Sequence, residues 1–139
     1  YLRKELHDTS YINVCTETMC YESSTIFPTE KIFKPIRLLQ PFVVVSTYHF
    51  LLTLKKMGYK TFHPFINEEY DNIENSDERM EAILAEIDRL SKLSHEQMQE
   101  LVFNCLDILI HNSQHHTYVI QSDIRNQKIY NELYCWANS

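Results

Sequence analysis

The sequence predicts an α/β fold: a short parallel sheet with helices on it and a helical C-terminal third. Three observations point there. β-rich runs alternate with helical patterns through the first half of the 139 residues. Phe42-Val43-Val44-Val45 is a continuous apolar, mostly β-branched run, as in a strand covered on both faces. Beyond Asn75, apolar residues recur at helical spacing over two successive segments.

The elements follow in order. Tyr1 to His7 reads as a helix end or connector, and Tyr11 to Cys15 as a short strand. Thr16 to Pro28 is polar and irregular, hence a loop. Thr29 is placed to N-cap a helix, with Glu30 in the first turn where the helix dipole favours an anion. Lys31 to Leu39 carries Ile32, Phe33, Ile36 and Leu39 on one face. Pro35 lies inside it and predicts a turn over 29–34, then a second start, with Pro41 as the stop. After the Phe42–Val45 strand, Ser46 or Thr47 caps a helix holding Phe50, Leu51 and Leu54. Gly58, the only glycine, closes that helix in a left-handed conformation. Tyr59 to Phe62 reads as a third strand.

The acidic stretch Asn67 to Asn75 reads as a solvated loop, with Tyr70 anchoring it on the sheet. Ser76 or Asp77 then caps a long helix whose stripe is Met80, Ile83, Leu84, Ile87 and Leu90. Ser94 and Gln97 form a capping box, opening a second stripe from Met98 to Leu109. The tail from Thr117 is helical in part. Residues 1–75 thus form an α/β segment, and 76–139 a helical segment packed on the same domain.

Composition narrows the function. The net charge is −6 and the 13 Lys and Arg are scattered, which argues against nucleic acid as a partner. No apolar run approaches the ~20 residues that cross a bilayer, so a cytoplasmic protein without a membrane span is expected. A start at Tyr1 suggests a piece of a longer chain. The four cysteines Cys15, Cys20, Cys105 and Cys135 lack the spacing of a zinc or redox motif and read as reduced thiols. His111 and His115 have a spacing that could ligate a metal, but a polar helix end is the ordinary reading, and no metal is expected. With one glycine, no glycine-rich phosphate loop can be written. Phosphate binding would need side chains and a helix N-terminus instead.

The order strand, helix, strand amounts to half of a Rossmann-like sheet, in which ligands bind off the carboxyl ends of the strands. Glu17 follows the first strand, Thr29, Glu30 and Lys31 open the first helix, and Arg37 lies about two turns on. The Ser46 turn lies at a second strand end. A carboxylate can accept from sugar hydroxyls, and a cation beside helix N–H groups can hold a diphosphate. From the residues alone, capping and solvation explain the same pattern.

The runs Asn13 to Glu17, Phe27 to Ile36 and Gln40 to Val45 resemble the C-terminal lobe of GT-B fold glycosyltransferases, most of all the α1,3-fucosyltransferase-like group. In that group a strand ending in glutamate precedes a loop, a Thr-Glu-Lys triplet opening a helix, and a hydrophobic strand. Similar segments, continuing into Leu54 to Phe62 and Glu68 to Asp71 here, occur in uncharacterised viral and phage proteins. The resemblance covers about half of the chain. It implies a nucleotide-sugar-binding segment over 1–75, with Glu30 and Lys31 on the donor nucleotide and Glu17 beside them. It implies a nucleotide diphosphate-sugar as donor substrate rather than a cofactor, and no metal requirement. It also implies an acceptor-binding N-terminal lobe, from elsewhere in the chain or from a partner, because these residues do not contain one. Ser46-Thr47-Tyr48 stands where the family has small residues and a glycine. The alternative reading is a non-catalytic α/β module of a viral or other assembly, docking through its long amphipathic helices.

Overall fold

The computed structural model describes residues 9–17, 26 and 28–137. Within them lie β1 (Asn13–Thr16), α1 (Glu30–Arg37), β2 (Phe42–Val45), α2 (Phe50–Lys56), α3 (Ser76–Ser91), α4 (His95–Asn104) and α5 (Leu106–Ala137). β1 and β2 pair in parallel, with Asn13 opposite Phe42 and Thr16 opposite Val45. The predicted α/β class and helical C-terminal portion are therefore what forms. The Tyr1 to His7 segment, Cys20 and most of the expected 16–28 loop lie outside the described residues.

Among the described residues the sheet has two strands, and the expected third strand at 59–62 is irregular. Side chains replace its strand partner. The Lys60 N–H donates to Asn112 Oδ1 at 2.7 Å, and Asn112 Nδ2 donates back to the Lys60 carbonyl at 2.8 Å. The Phe62 N–H donates to Glu68 Oε1 at 2.7 Å. These backbone groups are satisfied without a ladder, so buried polar groups impose no demand for one. Sequence pattern cannot distinguish a strand from a segment held in this way.

The core forms around β2. Phe42, Val43, Val44 and Val45 are all buried, as the apolar run implies. α1 packs Ile32 and Ile36 inward, and α2 packs Phe50, Leu51 and Leu54. Phe62 meets Phe42 edge to face at 4.8 Å. α3 lies against β2 and inserts Ile83 and Leu90. Leu84, expected in that stripe, is instead 56% exposed. The Tyr70 hydroxyl accepts from the Val44 N–H at 3.3 Å, so it anchors its loop on the sheet.

Helix boundaries differ from expectation in instructive ways. α1 runs unbroken through Pro35, with no second start. Pro35 costs one amide donor, but its ring is buried and its carbonyl accepts from Gln40 at 3.0 Å. Leu39, at φ 53, ends the helix in the left-handed conformation usually left to glycine. Asn75, not Ser76 or Asp77, caps α3, accepting from the N–H groups of Asp77 and Glu78. The capping box at Ser94 and Gln97 forms as read. The second stripe is split at Cys105, where α4 ends and α5 begins. Gly58, at φ 94, follows α2 and its N–H bonds to the Lys55 carbonyl.

The acidic loop is not simply solvated. It folds into a 3-10 turn, Glu69–Asn72, that turns Glu68 and Asp71 inward. The Asp71 carboxylate accepts from the N–H groups of Leu51 at 2.8 Å and Leu52 at 3.0 Å. It therefore caps α2, the task expected of Ser46 or Thr47. Burial raises the Glu68 pKa above the ordinary glutamate value, against hydrogen bonds at Thr61 and Phe62.

Candidate functional site

The site forms where the parallel strands end. Past β1, the Glu17 N–H donates to the Val45 carbonyl at 3.0 Å, extending the ladder by one step. That fixes the Glu17 side chain inward, where it is buried. Its Oε2 accepts from the Thr29 hydroxyl at 2.6 Å and its Oε1 from the Thr29 N–H at 3.3 Å. The Thr29 hydroxyl oxygen in turn accepts from the Lys31 N–H at 3.3 Å, which is the N-cap of α1. Glu17, Thr29 and Lys31 thus form one linked group at the carboxyl edge of the sheet.

Cys15 lies under this group. Burial pushes its thiol up to about 12; Glu17 adds to the rise and Lys31 opposes it. Cys105 is likewise pushed up to about 11, mainly by burial. Neither thiol forms a thiolate at neutral pH, and Cys15, Cys105 and Cys135 are free, as read.

Glu30 and Arg37 face elsewhere. They are seven residues apart, two helical turns, so they share one face of α1 with Phe33 and Lys34. That face lines a cleft of about 780 Å³ opposite α5. The far wall carries His116, Val119, Ile120 and Asp123, and Met57 and Tyr59 close one side. Phe33 stacks on His116 at 4.7 Å, and the Tyr59 hydroxyl meets His116 Nδ1 at 2.9 Å. Burial lowers the His116 pKa, with Arg37 and His115 lowering it further. The five residues singled out from sequence therefore fall into two places: Glu17, Thr29 and Lys31 at the strand ends, Glu30 and Arg37 in the cleft.

The second strand end is closed. Asp71 occupies the N-terminus of α2, and Arg79 donates to the carbonyls of Ser46, Ile73 and Glu74 at 2.9–3.0 Å. The Asp71 carboxylate thus takes the N–H groups a phosphate would need at the start of α2. His111 and His115 direct their Nε2 atoms at the carbonyls of Gly58 (3.0 Å) and Met57 (2.8 Å), where they bridge α5 to the end of α2.

No known protein family, curated protein or solved structure matches this chain.

The chemistry of the strand-end group follows from its bonds. The Lys31 and Ile32 N–H groups are already taken by the hydroxyl and carbonyl of Thr29. Anion binding there falls to the exposed Lys31 side chain rather than to a cradle of amides. Sequence reading missed Asp71, Arg79 and Asn112. Each is polar, buried and bonded to main chain far away in sequence, and no local pattern reports such a bond. Among the described residues, no helix is long and apolar enough to cross a membrane.

Proposed function

We propose that this chain is the donor-binding lobe of a glycosyltransferase, holding a nucleotide diphosphate-sugar for transfer to a hydroxyl acceptor. The observation that carries this reading is the Glu17–Thr29–Lys31 group at the carboxyl end of two parallel strands. Glu17 orients Thr29, Thr29 holds the first turn of α1, and Lys31 offers its ammonium to the diphosphate. Glu30 and Arg37, on the adjacent face of α1, add contacts from the cleft side. Developing charge on the leaving diphosphate would be met by the Lys31 ammonium. The acceptor and its base belong to a further lobe or a partner chain.

Calorimetric titration of the protein with a panel of nucleotides and nucleotide sugars tests this. One nucleotide sugar should bind, and Lys31→Ala should weaken it roughly tenfold, the scale of a charge-assisted contact. Absence of binding across the panel, or binding indifferent to both Lys31→Ala and Glu30→Ala, removes the reading.

A second reading, a non-catalytic assembly module, is favoured by the distal half of α5. Ile124 is 65% exposed and Leu133 60% exposed there, large apolar side chains without cover among the described residues. A protein that sediments as a monomer without partners when purified from its host would count against it.

A further inference from the structure

The cleft between α1 and α5 offers more than the Glu30 and Arg37 contacts that the donor reading uses. Its volume of about 780 Å³ is that of a small-molecule site. Its walls are largely apolar: the stacked Phe33 and His116, Tyr59, and the rims Met57 and Ile120, which are 41% and 39% exposed. Four charged side chains surround this apolar surface, Glu30 and Asp123 against Lys34 and Arg37. Among the described residues none of the four makes an ion pair within 4 Å; those that form are Arg89–Glu86, Lys92–Asp88 and Lys128–Glu132.

The charges decide the ligand class. A purely anionic ligand would bring its charge beside two carboxylates, and a purely cationic one beside two cations. A ligand with one charge of each sign meets a partner at both ends. On α1, Glu30 precedes Lys34 by four residues and Arg37 by seven, an axial separation of about 6 and 10 Å. An extended peptide advances about 3.3–3.6 Å per residue, so two or three residues separate termini matched to that span. A free amino acid carries both charges on one Cα and cannot reach. The aromatic and aliphatic walls then suit an apolar side chain between the termini.

We infer that this cleft binds a short zwitterionic peptide of two or three residues, its carboxylate at Lys34 and Arg37, its ammonium at Glu30, and an apolar side chain against Phe33, Met57 and Ile120. The site shares Glu30 and Arg37 with the donor reading but does not use Lys31 at the strand end.

The tripeptide Ala-Phe-Ala tests it by calorimetry with the full chain, in three forms: free, N-acetylated and C-amidated. The free peptide should bind, and each capped form should bind about fivefold more weakly, the effect of one partly exposed ion pair. Lys34→Gln together with Arg37→Gln should erase the penalty for amidation and leave that for acetylation; Glu30→Gln should do the reverse. Lys31→Ala should change none of these values, which separates this site from the donor reading. Equal binding of all three forms, no binding of the free peptide, or a loss on Lys31→Ala equal to that on the double variant would each overturn the inference. The capping comparison uses the unmodified protein, so it holds even if a variant misfolds.

Discussion

Asp71 is the residue whose removal tests this structure most sharply. α2 begins after His49, which is left-handed at φ 60 and offers no side-chain cap. A non-glycine residue in that conformation costs about 1–2 kcal/mol. What holds the turn is Asp71: its carbonyl accepts from the His49 N–H at 3.0 Å, and its two carboxylate oxygens take the Leu51 and Leu52 N–H groups. Asp71→Ala removes a cap, about 1 kcal/mol, and leaves buried donors unsatisfied, about 1–3 kcal/mol. The sum, about 3 kcal/mol, corresponds to a fall in Tm of about 10 °C for a domain of this size. Urea unfolding followed by far-UV circular dichroism measures it, and an unchanged m-value shows that stability alone moved.

Asp71→Asn, which keeps one acceptor, should cost about half as much. The pH trend adds a second check. Burial raises the Asp71 pKa above its usual 3.8, outweighing the Leu51 and Leu52 hydrogen bonds that lower it. The native state then binds its proton more tightly than the unfolded chain, so this contribution to stability is present at acid pH and lost as pH rises. Asp71→Asn should therefore be less destabilising at pH 7 than near pH 4. If Asp71→Ala falls within about 0.5 kcal/mol of the exposed control Glu74→Ala, or the pH trend is reversed, the capping argument is wrong.

Two further outcomes follow from the α2–α5 contact. In Gly58→Ala, the new Cβ would sit 2.7 Å from the His115 ring, at φ 94, so His115 must leave the Met57 carbonyl; thermal unfolding should show a loss of about 2 kcal/mol, and a variant as stable as the parent refutes the geometry. His116 is held below its usual 6.5 by burial, then by Arg37 and His115, so stability present above that pH should be lost as pH falls below it; the His116 pKa followed by NMR should rise in Arg37→Gln, and an unchanged value would remove Arg37 from its surroundings.

Much of this protein is legible in its sequence because the signals are local. The Phe42–Val45 run, the inward residues Ile32, Ile36, Phe50, Leu51 and Leu54, the Ser94 capping box and the positive φ of Gly58 each follow from residues within a few positions of one another. The Thr29 cap belongs with them. Periodicity, capping and steric freedom act over one or two turns, so one strand of text contains them.

Tertiary structure decided the rest. It carried α1 through Pro35, replaced a third strand by Asn112 and Glu68, and moved the cap of α2 from Ser46 or Thr47 to Asp71. It also divided the predicted site, leaving Glu17, Thr29 and Lys31 at the strand end and turning Glu30 and Arg37 toward α5. The physical reason is the same in each case. A buried backbone group needs a partner but does not specify which residue supplies it, and neighbours on a helix point in directions 100° apart, toward whatever packs there. Sequence alone determined the α/β class and the start of α1; only the packing of α5, more than seventy residues later, made one face of that helix a cleft.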